Sequence, residues 1–175
     1  RVRYVDLNID DVRLTKLRSN FSHLGQLYFP ETLFDADLLV SMPKLKTHHW
    51  AGVTLSLKNM FGIIPGSVYG WPKNALHWAG IHESILDINS SLPVPQFAIV
   101  DGIVGMEGNG PIQGDAKLSG VLIFGDDLVA VDATAARLMK IEPRKVAYLE
   151  TASRFLGNIA YETIDQIGER LEPFQ

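Results

Sequence analysis

The residues best suited to chemistry lie between positions 44 and 132. Pro43-Lys44-Leu45-Lys46-Thr47-His48 comes first. In an extended chain alternate side chains share a face, so Lys44, Lys46 and His48 point the same way. Two ammonium groups and an imidazole on one face are donors for a carboxylate or a phosphate. The imidazole can also move a proton near neutral pH. Thr54, Lys58 and Asn59 follow. If the chain is helical there, Thr54 and Lys58, four apart, lie on one face. Lys73 and His77 repeat that spacing and are placed to close over a ligand from another side.

Carboxylates and glycines come next. The run Asp101 to Pro111 carries Gly102, Gly105, Gly108 and Gly110, with Glu107 inside it and Gly114 beyond. Glycine permits positive φ and close backbone approach, so such a run can cradle an anion or place a carboxylate. It lacks the spacing of a dinucleotide-binding fingerprint and the Gly-Lys-Ser/Thr ending of a P-loop. Asp101 and Glu107 are the best general-base or metal-ligand candidates, with His48 as a third group for a divalent metal. Asp126 and Asp127 suit the capping of a helix that starts at Leu128. Asp132, one turn in and flanked by Ala130, Val131 and Ala133, needs a buried partner, for which a site lysine is the natural choice.

Charge points to the same segment. The whole chain has 16 basic and 20 acidic residues, a net charge of −4. Yet no Asp or Glu occurs from Leu38 to His82, a stretch with Lys44, Lys46, Lys58, Lys73 and four of the five histidines. An acid-free stretch in an acidic protein is a place where an anion is welcome. Trp50, Tyr69, Trp71 and Trp78 interleave with it, and aromatics among lysines can stack single-stranded nucleic acid. The acidic balance disfavours that use.

The elements that position these residues alternate. Strands are expected at Arg3 to Leu7, Val12 to Leu17, Gln26 to Phe29, Ala36 to Met42, Gln96 to Val100 and Leu118 to Phe124. Helices are expected at Thr54 to Phe61, Asn74 to Ile88, Leu128 to Lys140, Arg144 to Phe155 and Tyr161 to Ile167. The glycine run reads as a loop. Buried strands between helices define an α/β fold with a mixed or mostly parallel sheet flanked by helices. Ligands in such folds bind beyond the carboxyl ends of strands, here at Pro43-Lys44, Asp101-Gly102 and Gly125-Asp126. A chain of 175 residues is expected to form a single domain over residues 1–175, and one that opens on Arg1 to be a segment of a longer protein. No apolar run is long enough to span a membrane. With no cysteine, the chain cannot hold a disulfide or an iron–sulfur cluster through its own thiolates.

Three blocks together resemble the domain-of-unknown-function 362 family: MPKLKTHHWAGVTLSLKNMFGIIPG, DGIVGMEGNGPIQG and FGDDLVAVDATAARLM. The resemblance runs from about residue 35 to 168. Its pattern falls on Lys44, Lys46, His48, Thr54, Lys58, Asn59, Lys73, His77, Asp101, Glu107, Gly108, Gly110, Asp127 and Asp132, among others. It implies a prokaryotic, cytoplasmic α/β domain, often joined to a ferredoxin-type iron–sulfur module. The first expectation for function is an enzyme of a small anionic substrate. In it Lys44, Lys46, Thr54, Lys58, Asn59, Lys73, His77, Gly108, Gly110 and Asp132 bind the anion, and His48, Asp101 and Glu107 supply acid–base or metal chemistry. The alternatives are a non-catalytic redox or interaction module docking an iron–sulfur partner, and a nucleotide- or nucleic-acid-binding domain.

Overall fold

The computed structural model describes residues 2–71 and 74–171. In chain order its elements are β1 (Val12–Lys16), β2 (Gln26–Pro30), β3 (Leu39–Ser41), β4 (Lys44–His48), β5 (Gly52–Thr54), α1 (Ser56–Asn59), α2 (Gly66–Tyr69), α3 (Asn74–Trp78), α4 (Ile81–Ser91), β6 (Gln96–Asn109), β7 (Gln113–Gly125), α5 (Leu128–Leu138) and α6 (Ala147–Ala152). They fall into two compact units. One is Arg1–Leu39 with Met60–Pro95, the other Val40–Asn59 with Gln96–Gln175.

The first unit pairs β1 with β2 antiparallel, in register from Val12↔Pro30 to Lys16↔Gln26. Its helices bury Leu76, Ile85 and Ile88, and β2 buries Leu27 and Phe29. The expected strand at residues 3–7 does not form. The helix expected from Asn74 to Ile88 is two helices, because Gly80 takes φ +103° between α3 and α4, a backbone that no helix continues through. Asp87 of α4 is fully buried. It accepts hydrogen bonds from the Ser19 hydroxyl (2.7 Å), Phe21 N–H (3.0 Å), Ser22 N–H (2.9 Å) and the Ser22 hydroxyl (2.5 Å). One carboxylate therefore organises the turn that leads out of β1.

The second unit is built on a mixed five-stranded sheet. β6 runs parallel to β4 and antiparallel to β7, and β4 pairs antiparallel with β5. β3 also joins β6. The chain is thus an α/β protein with a mixed sheet flanked by helices. α5 packs against β6 and β7, with α1 and α6 beside it. It buries Leu128, Val129, Val131, Ala133, Ala135 and Ala136. Asp127 caps it, accepting from Ala130 N–H at 3.0 Å, and also takes Asn158 N–H at 2.8 Å.

The glycine run is the main departure from expectation. Residues 102–109 continue β6, which turns into β7 as a long hairpin. The glycines serve close packing. A Cβ on Gly102 would sit 2.8 Å from Val121 Cγ2 and 3.0 Å from Leu45 Cδ2, and one on Gly105 would sit 2.7 Å from the Leu45 carbonyl oxygen. Such glycines let β4, β6 and β7 approach each other, so their abundance marks a crowded strand here. Asp101, expected at a strand's carboxyl end, lies within β6, and Lys44, expected to follow a strand, opens β4.

Candidate anion-binding site

The site is built around β4 and β5 of the second unit's sheet and the short helix α1 that follows β5. Residues paired across neighbouring strands share a face. Lys44 pairs with Asp101, which pairs with Leu122. Beyond a register shift between Lys44 and Lys46, Thr54 pairs with Lys46, Lys46 with Met106 and Met106 with Ala116. Leu45, between the two lysines, points the other way and is buried. The alternation in Lys-Leu-Lys thus delivers two lysines to one surface. The predicted helical relation of Thr54 to Lys58 is replaced by another. Thr54 ends β5, and α1 begins only at Ser56.

Lys46 and Lys58 are both half-buried and close enough to repel. Desolvation, and then the charge of Lys46, lower the Lys58 ammonium from its usual 10.5 to about 8. Lys46 forms no ion pair among the described residues. The Thr54 hydroxyl oxygen, directly across from Lys46, is buried and has no hydrogen-bond partner. Buried hydroxyls are nearly always satisfied, and the nearby Ser56 hydroxyl is a second exception.

The other candidates divide clearly. Lys44 donates to Asp101 at 2.9 Å, and both are exposed enough for solvent to screen the pair. That ammonium and the Ile103 N–H hold the Asp101 carboxyl below the usual carboxylate range, which makes it a weak base. Glu107 lies further out on the hairpin, ion-paired with Lys117 at 3.3 Å. His48 is buried, and its Nδ1 accepts from Trp50 N–H and Ala51 N–H, both at 3.1 Å, so the ring caps a turn. Asn59 donates to the Ser41 hydroxyl at 3.2 Å, which fixes the end of α1. The Gly108 carbonyl accepts from the Thr47 hydroxyl at 2.9 Å, and Gly110 packs against Thr47. His77 belongs to the other unit, edge-on to Phe61 at 5.1 Å. Lys73 lies outside the described residues.

Asp132 is fully buried on α5 and accepts Ser56 N–H at 2.7 Å and Leu57 N–H at 3.0 Å. It thus meets the backbone just before Lys58 instead of a lysine head group. Burial pushes its carboxyl up to about 7, against the pull of these hydrogen bonds. His48, Asp101 and Glu107 do not gather as metal ligands would. Among the described residues no group of three histidine or carboxylate side chains does so.

His49 has no supporting pattern in the sequence, which reads it as structural or surface. Its Nδ1 lies 2.8 Å from the Gly110 carbonyl oxygen, so Nδ1 carries the proton and Nε2 is left as an acceptor. The ring is exposed at a shallow cleft with Asn109, Pro111, Ile112 and Gln113. The contact that orients it comes from Gly110, 61 residues away.

The fold is α/β, with Lys44 and Lys46 on β4 and Lys58 on α1. The chain belongs to the family described as Domain of unknown function (DUF362), whose model matches residues 1–137 and so takes in every candidate above. It is also similar to a curated thylakoid-associated protein of Synechocystis sp., 28% identical over 151 residues, covering 86% of this chain and 47% of that protein. The chain therefore spans about half the length of this relative. No solved structure matches. Among the described residues no helix is long and apolar enough to cross a membrane.

Proposed function

We propose that this chain is the anion-binding part of an enzyme that acts on a small carboxylate or phosphorylated compound, held by Lys46, Thr54 and Lys58. One observation carries the reading. The half-buried Lys46 and Lys58 stand close enough to repel, and Lys46 pairs across strands with Thr54, whose buried hydroxyl has no hydrogen-bond partner. Holding like charges together costs stability in the empty protein, and a bound anion offsets that cost. Lys44 with Asp101 forms the rim of this site. Proton transfer then falls to a group other than His48, whose Nδ1 is committed to the backbone, and His49 has the open nitrogen. The test is calorimetric titration with phosphate, sulfate and citrate at matched ionic strength, on the wild type and on Lys46→Met, Lys58→Met and Thr54→Val. Binding lost in both lysine variants and weakened in Thr54→Val supports the reading. Equal binding in all four, or none in the wild type, contradicts it.

A second reading, a docking module for an iron–sulfur or other protein partner, is favoured by exposed apolar residues on β7 and just before β4. Phe124 is 66% and Leu118 77% exposed, with Leu122 and Met42 also open. Large apolar side chains left open to solvent are a common feature of interaction surfaces. The thylakoid association in the relative's name is compatible with such a role. Under this reading Phe124→Lys abolishes partner binding and leaves phosphate binding untouched.

A further inference from the structure

We infer that Asp132 is a positioning residue for the anion site: its carboxylate, reaching from α5 to the N–H groups of Ser56 and Leu57, sets where α1 places Lys58. The inference rests on the anion-binding reading given above. The geometry is direct. Two hydrogen bonds of 2.7 and 3.0 Å hold the first residues of α1, and Lys58 is the next residue along. At the far end Asn59 is tied to Ser41, whose hydroxyl in turn donates to the Ser56 carbonyl at 3.0 Å. Lys58 thus sits on a four-residue helix pinned at both ends. Of the two pins only Asp132 can change its charge.

The environment of Asp132 makes that change accessible. Tyr148 of α6 and Asp127 at the start of α5 are the titratable groups that act on or feel its charge. Neither is a cation, and among the described residues Asp132 forms no ion pair. A protonated carboxyl has one oxygen that donates, so it cannot accept both N–H groups equally. The start of α1 then loses one tie and Lys58 is less well placed. Anion affinity rises as Asp132 ionises near pH 7, and falls again as Lys58 loses its proton near pH 8. The profile is a narrow bell.

The experiment uses sulfate, whose charge is constant across about pH 5.5 to 9.5, as the probe in calorimetric titrations of the wild type, Asp132→Asn and Lys58→Met. The expected wild type gives the bell. Asp132→Asn binds roughly tenfold more weakly at pH 7.5, the equivalent of one lost hydrogen bond to a charged group. It also loses the acidic limb while keeping the alkaline one. Unchanged affinity and an unchanged acidic limb in Asp132→Asn overturn the inference. A second measurement needs no variant. In the wild type without anion, the Ser56 and Leu57 amide resonances should shift together with a midpoint near 7. Flat amides in a protein that binds sulfate overturn the positioning role alone. Absence of sulfate and phosphate binding at every pH overturns the anion reading and this inference with it.

Discussion

Lys58→Met is the most informative single change, because it should stabilise the empty protein while abolishing its ligand response. The fold lowers the Lys58 ammonium from 10.5 to about 8, through desolvation first and Lys46 second. At 1.36 kcal/mol for each tenfold change in a proton equilibrium, that corresponds to a penalty of at most roughly 3 kcal/mol on the charged form. Lys58 is only half-buried, so solvent screening reduces the figure to about 1–2 kcal/mol. Methionine keeps most of the aliphatic volume without the charge. Urea denaturation at pH 7 should therefore show Lys58→Met about 1–2 kcal/mol more stable than the wild type. The sign of the pH dependence follows from proton linkage. Between about pH 8 and 10.5 the unfolded chain binds more protons at this residue than the folded chain. Wild-type stability at this residue therefore rises with pH across that window, and the advantage of the variant fades. Phosphate should stabilise the wild type and leave the variant unmoved. A variant less stable than wild type at pH 7, or one that responds equally to phosphate, would refute the reasoning.

Other predictions follow from named contacts. Asp87→Ala should lower the stability of the first unit by about 3–5 kcal/mol, because Phe21 and Ser22 N–H groups lose a buried charged acceptor; urea denaturation measures it. Gly102→Ala should cost about 1–3 kcal/mol by overpacking against Val121 and Leu45, and hydrogen exchange should show the loosening in β4 and β6. Lys44→Ala should cost no more than about 1 kcal/mol in thermal unfolding, an effect that added salt removes.

The sequence made some of this legible and hid the rest for identifiable reasons. The alternation of Lys44, Leu45 and Lys46 was readable, because β4 is extended and its period is two. The α5 helix was readable from its apolar stripe and its Asp127 cap. The glycine run was misread because glycine abundance signals turns, whereas Gly102 and Gly105 are needed for strands packed around Leu45. The first-turn contact of Asp132 with Ser56 and Leu57 spans 76 and 75 positions, beyond any local pattern. Two adjacent histidines also look alike in sequence. His48 turns inward to cap its own turn, and His49 leans on a carbonyl of the distant hairpin. The Thr54–Lys58 spacing suggested a shared helix face, yet the chain changes from strand to helix between them. Lys46 replaces that relation with a cross-strand one.

The central claim is that Lys58 is a cation held in a crowded, partly dry place that an anion relieves. Its most direct test is the titration of the Lys58 Nζ resonance by nuclear magnetic resonance, with and without sulfate. The account predicts a midpoint near 8 in the empty protein and a clear upward displacement when sulfate is present. A midpoint near the ordinary 10.5 in both conditions would contradict it.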